Sequence, residues 1–184
     1  MQAHSDILRF MKPKKEQRAS RDNSASLLQQ LAQSPEKLFG KRFRLQYGAL
    51  CFRHLQSGGF EILVITSRDS GRWILPKGWP MKRKKPYEAA ATEAWEEAGM
   101  RGKVAKKPVG RYTYLKELDD GDVVPCTVEM FAIEVDEIRQ NFKERGQRVL
   151  DWVSPDEAAR RVREIELKSL LVNFTPPVPK PKGS

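Results

Sequence analysis

The rhythm of apolar and polar residues changes several times along the chain, and each change marks an element. From Arg42 onward, RLQYGALCFRH and EILVITS alternate or run continuously apolar, which predicts two strands joined by the turn-forming QSGG. SRDSGRWILPKG then supplies a turn, a short strand from Trp73 to Leu75 and a proline leading into a glycine turn at Gly78. An alanine-rich helix follows, with Pro86 near its first turn and Gly99 at its end, where a left-handed residue can cap the last carbonyls. Downstream, VGRYTYLKEL and DVVPCTVEMFAIEV predict a hairpin across Asp119, Asp120, Gly121 and Asp122, with Pro125 at a bulge or an edge. Arg148 to Val153 predicts another strand, and SPDEAARRV a helix with Ser154 as cap and Glu157 in capping-box spacing. Ile165 to Phe174 gives a final helical segment.

Both ends break this texture. Residues 1–41 read as a basic extension carrying a short helical candidate around Ser24 to Ala32. Its basic run has no interleaved aromatics, so a solvated arm is favoured over a nucleic-acid contact. Residues 175–184 form a proline-rich tail, which excludes an ordinary helix or a central strand and predicts an extended segment.

Candidate chemistry sits inside the first helix. Glu93, Glu96 and Glu97 are three and four residues apart, which places three carboxylates on one side, while Ala90, Ala91, Ala94, Trp95 and Ala98 supply contacts elsewhere. Like charges at that spacing repel, so an isolated helix gains nothing from them. A hard divalent cation converts the repulsion into affinity, because such ions are held by carboxylate oxygens and substrate phosphates. The plain alternative is a solvated acidic face.

Composition narrows the ligand. A formal charge of +10 and a pI near 9.7 favour anionic partners such as nucleotides, inositol phosphates or RNA, without choosing among them. Cys51 and Cys126 have neither metal-like nor redox-like spacing and read as small hydrophobes in a reducing compartment. No apolar run is long enough to cross a bilayer and no signal-peptide core is visible, so a cytoplasmic protein without a membrane partner is the default expectation.

The stretch GWPMKRKKPYEAAATEAWEEAGM resembles the Nudix box, a glycine, five residues, a glutamate, seven residues and then R-E-U-x-E-E-x-G-U, with U aliphatic. Gly78, Glu93, Ala94, Glu96, Glu97, Gly99 and Met100 fall at matching offsets. Lys84 replaces the first glutamate and Thr92 the arginine, which exchanges a carboxylate for a cation and removes a bidentate fork. The resemblance implies an α/β/α sandwich, a mixed β-sheet with flanking helices, over residues 42–174. It also implies Mg2+ or Mn2+ as cofactor, with Glu93 and Glu97 as ligands and Glu96 as ligand or proton acceptor.

Within the family, LCFR, the SR before GRWILPKG, and DWVSPDEA resemble diphosphoinositol polyphosphate and diadenosine polyphosphate phosphohydrolases. That likeness implies substrate contacts at Arg44, Thr66, Ser67, Arg68 and Arg148, while Lys77 and Lys84 add positive charge and Leu45 and Gln46 depart from the pattern. Arg72, beside Trp73, reads instead as a packing or ion-pair residue. The implied activity is hydrolysis of phosphoanhydride bonds in a phosphate-rich small molecule. The alternatives are another nucleoside-diphosphate-linked substrate, the 5′ end of RNA, or a non-catalytic nucleotide- or RNA-binding module. The sequence carries no sign of oligomeric state.

Overall fold

The computed structural model describes residues 43–118, 121 and 123–177. The helix expected around Ser24 to Ala32, the basic arm, the turn residues Asp119, Asp120 and Asp122, and most of the proline-rich tail lie outside the described residues.

The elements run β1 (Arg44–His54), β2 (Phe60–Thr66), β3 (Trp73–Ile74), β4 (Lys77–Gly78), α1 (Pro86–Ala98), β5 (Met100–Val104), β6 (Gly110–Glu117), β7 (Val123–Ile138), β8 (Leu150–Val153), α2 (Pro155–Arg161) and α3 (Ile165–Asn173). The eight described strands form one mixed sheet in the order β3-β2-β1-β7-β5, with β4 paired to β1, β6 to β7 and β8 to β2. β1 and β7 are parallel, in register from Arg44 opposite Cys126 to Phe52 opposite Glu134, and the other pairs are antiparallel. Pro125 pairs with Leu115 of β6 one residue before the β1 ladder begins, so its missing N–H breaks no bond to β1.

The period-two alternation of β1 and β2 sorts two cores. Ala49, Cys51, Leu63 and Ile65 face one way and meet Ala94 and Ala98 of α1. Leu50, Phe52, Ile62 and Val64 face the other way and meet Ala158 and Ala159 of α2 and Leu167 and Leu171 of α3. A helix on one face and two on the other make the α/β/α sandwich. Alanines on the inner stripe of α1 let that helix approach the sheet closely, which matters for the carboxylates it carries. Both cysteines are free and buried, and burial pushes the Cys51 thiol up to about 12.

The ends of α1 follow the sequence signals. Pro86 lies in the first turn, Glu88 reaches back to accept from the Lys85 N–H at 2.9 Å, and Gly99 takes φ 70° while its N–H donates to Trp95 O at 2.9 Å. Two local expectations change. Gly78 belongs to the two-residue strand β4 rather than a turn, because it pairs with Tyr47 of β1. Ser154 Oγ accepts from the Glu157 N–H, but the Glu157 carboxylate turns to Arg160 and Arg161 instead of closing a capping box. β5 had no counterpart in the sequence reading. Among the described residues no helix is long and apolar enough to cross a membrane.

Candidate functional site

The carboxylates of α1 meet β4 and the loop at residues 139–149. Gly78 has no side chain where one would overlap the Glu93 carboxylate, so Glu93 lies directly on the β4 backbone. Glu97 is fixed from two sides. Its Oε2 accepts from the Lys77 N–H at 3.0 Å and its Oε1 accepts from Arg148 Nη2. Arg148 also donates from Nε to Glu144 Oε2 at 2.7 Å and from Nη1 to the Thr66 carbonyl at 2.9 Å. The Arg148 side chain is only 5% exposed and Glu97 9%, so this fork is a buried, three-way committed group that positions Glu97.

The loop is drawn onto α1 by the Glu144 N–H, which donates to Glu96 O at 3.0 Å, and by the Arg139 N–H, which donates to Gly99 O at 2.9 Å. It brings Lys143 Nζ to Glu96 Oε2 at 2.6 Å and Glu144 Oε1 to Arg68 Nη1 at 3.3 Å. The four carboxylates of Glu93, Glu96, Glu97 and Glu144 therefore share a cavity of about 460 Å³ with Ser67, Arg68, Lys77, Lys116, Lys143 and Arg148. Trp79 and Met81 also line it.

The charges are unevenly balanced. Burial, followed by repulsion from Glu97, Glu96 and Glu144, pushes Glu93 up to about 7. Among the described residues no hydrogen bond or ion pair reaches its carboxylate. Burial also raises Glu97, against the opposing pull of Arg148. Lys77 is lowered by burial, and its ammonium lies 5.2 Å from the centre of the Tyr114 ring. Tyr114 in turn donates to Gln46 Oε1 at 2.7 Å.

Among the described residues no group of three His, Cys, Asp or Glu side chains is arranged to hold a metal ion. The chemistry of the donors nevertheless fits a hard divalent cation. The oxygens are carboxylate oxygens, and among the described residues no cation is paired with Glu93. Side-chain rotation is needed for Glu93, Glu96 and Glu97 to converge on one ion.

Of the residues singled out from the sequence, Glu93, Glu96, Glu97, Gly78, Ser67, Arg68, Lys77 and Arg148 come together around this cavity. Gly99 caps the helix that carries them. Arg44, exposed at the start of β1, does not line the cavity, and neither does Thr66. Both Thr66 oxygens serve the scaffold, the carbonyl for Arg148 and Oγ1 for the Val149 N–H at 2.9 Å. Lys84 also lies elsewhere, with Nζ donating to Thr92 Oγ1 at 2.7 Å, so the two departures from the box pattern bond to each other. Arg72 makes its ion pair with Glu164 at 3.6 Å. Sequence reasoning missed Glu144, Lys143 and Lys116. No local pattern marks a loop glutamate 47 residues beyond Glu97, although the alternation of β6 did place Lys116 on one definite face.

Comparison with known proteins identifies the family of the fold. The family model for the NUDIX domain matches residues 44–173. Nudix hydrolase 16, mitochondrial, of Arabidopsis thaliana is 29% identical over 141 residues, covering 70% of this chain and 78% of the plant protein. Diphosphoinositol polyphosphate phosphohydrolase 2 of Rattus norvegicus is 39% identical over 64 residues, 35% of each chain. The crystal structure of a C. elegans Ap4A hydrolase binary complex superposes with a TM-score of 0.53 at 21% identity, covering 70% of this chain and 93% of the other, a likeness of fold. With the family model matching residues 44–173, which include both cores and the carboxylate helix, the chain belongs to the Nudix hydrolase family.

Proposed function

We propose that this chain hydrolyses a phosphoanhydride bond of a diadenosine polyphosphate or a diphosphoinositol polyphosphate, using Mg2+ or Mn2+. The observation that carries the reading is the single cavity in which Glu93, Glu96, Glu97 and Glu144 stand opposite Arg68, Lys77, Lys116 and Lys143. Neither half suffices alone: cations gather the phosphates, while carboxylates without a counter-ion repel them. Glu93 and Glu97 would hold the cation with help from Glu96. When bound, the cation lowers the pKa of water and neutralises charge on the transferring phosphoryl group.

The chain's own residues do the rest. Arg68, Lys116 and Lys143, which line the cavity, would attract and orient the outer phosphates, and Arg148 holds Glu97 at a fixed orientation through its fork. Glu96 sits with its carboxylate on Lys143 and is the candidate to take the proton from the attacking water once that lysine turns to a phosphate. The similarity to the rat phosphohydrolase and the nematode Ap4A hydrolase supports a long polyphosphate over a short one.

The test is a panel measuring phosphate and nucleotide release with Mg2+ and Mn2+, run beside Glu97→Gln. The expected result is metal-dependent turnover of a diadenosine or diphosphoinositol polyphosphate that Glu97→Gln lowers about 100-fold or more. Preference for ADP-ribose with negligible action on either favoured class overturns the substrate assignment. The Lys84–Thr92 pair, with no acid at the first box position, favours a second reading, a non-catalytic nucleotide- or RNA-binding module. Tight binding without hydrolysis of any polyphosphate would select it.

A further inference from the structure

A second cavity, of about 480 Å³, opens along α1 beside the carboxylate cleft, and Glu96 lines both. Its walls carry Lys84, Thr92, Trp95 and Arg101 over a floor that includes Met100 and Ile133. The two positions at which this chain departs from the box pattern, Lys84 and Thr92, thus fall in one cavity that the catalytic reading does not use.

Donors outnumber acceptors there. Lys84 and Arg101 are exposed, and among the described residues neither pairs with a carboxylate. Lys84 spends one of its three N–H donors on Thr92 Oγ1. Arg101 lays its guanidinium 5.3 Å from the centre of the Trp95 ring, a stacking contact that leaves its N–H edge open. The Trp95 indole N–H is buried and finds no acceptor among the described residues. The acid in the wall, Glu96, is paired with Lys143 at 2.6 Å, which reduces its repulsion toward an anion.

We propose that this cavity is a second phosphate-binding site, in which Lys84 and Arg101 grip a phosphoryl group beside Trp95. A phosphate supplies several acceptor oxygens to two cations that hold complementary geometries, a fork and a mobile point charge. The site stands independently of turnover in the adjacent cleft. Its phosphate comes either from the far end of a long substrate lying across Glu96 or from a separate phosphate compound.

The test titrates the 15N-labelled full chain, free of divalent ions, with inorganic pyrophosphate while following the Trp95 indole N–H resonance, assigned through Trp95→Phe. The expected result is a saturable shift that persists in Glu97→Gln and weakens roughly tenfold or more in the Lys84→Gln, Arg101→Gln double variant, the loss expected for two charge-assisted hydrogen bonds. A resonance that stays still, or titrates equally in the double variant, overturns the proposal. Absence of hydrolysis on every substrate would defeat the catalytic reading and leave this titration intact. Kinetics separate the sources. A substrate-borne phosphate makes the double variant raise KM for long polyphosphates more than for short ones, whereas a separate compound makes pyrophosphate alter the rate without competing with substrate.

Discussion

Arg148 illustrates how one residue serves charge and architecture together. Its guanidinium joins Glu97, Glu144 and the Thr66 carbonyl in a space from which water is nearly excluded. Replacing it by Met leaves Glu97 without its cation and Glu144 with Arg68 alone, and the expected loss is about 3–5 kcal/mol in urea unfolding. Lys at that position restores the charge without the fork, so it should recover only part of the loss. Unchanged stability of Arg148→Met would show that Glu97 is held by other means. Glu93 makes a different statement. Its folded value of about 7 stands above the ordinary 4.5, so between those values the folded chain keeps a proton that the unfolded chain has released. Stability from this group is therefore full below the ordinary value and is lost as pH rises through the folded one. From about pH 5 to about pH 8 the metal-free protein should lose on the order of 1 kcal/mol more than Glu93→Gln, after allowing for solvent screening of a half-buried group. Parallel pH profiles for the two proteins would remove Glu93 as the cause.

At the scale of elements, the contact between β4 and α1 sets the site, and Gly78 controls it. A Cβ there meets the far end of the flexible Glu93 side chain rather than backbone, so Gly78→Ala should cost less than about 1 kcal/mol in stability. The displaced carboxylate should still lower metal-dependent turnover roughly tenfold or more, because small misplacements are costly in rate. Thermal unfolding and steady-state kinetics read the two effects separately, and full activity in a stably folded variant would contradict the placement. The ends of α1 were legible because Pro86 and Gly99 are local signals, and β1 and β2 because their alternation fixes which side chains enter which core. β5 was not legible. Arg101, Gly102 and Lys103 are exposed, and the strand shifts register between Arg101 and Gly102, which erases the apolar alternation a reader relies on. Glu144 was hidden for another reason: only the folding of its loop onto α1, through the Glu96 and Gly99 carbonyls, buries this glutamate beside the box. Lys84 was placed by its position in the motif near the catalytic phosphates, yet its side chain meets Thr92 on a neighbouring wall, a geometry that motif spacing alone does not encode.

For the whole molecule, charge is spread in a way that separates two kinds of anion binding. Residues 1–40 hold seven Lys and Arg against four Asp and Glu, three of the net +10, while the unit of residues 41–184 contains both cores and the cleft. Binding to a long polyanion depends on the number of phosphates neutralised, whereas hydrolysis of a small substrate depends on groups inside the cleft. A chain beginning at Lys41 should therefore unfold cooperatively and keep kcat/KM for its best small substrate within about twofold of the full chain. As the basic run reads as a solvated arm, affinity for single-stranded RNA should stay close to that of the full chain, and the plot of log affinity against log salt should keep its slope, which would flatten by about 0.7 for each phosphate contact that the first 40 residues supplied. Fluorescence anisotropy over a salt series measures the slope, and the substrate assay measures the cleft. A flatter slope would make the basic extension an RNA contact, and a collapse of small-substrate turnover would make it part of the catalytic unit.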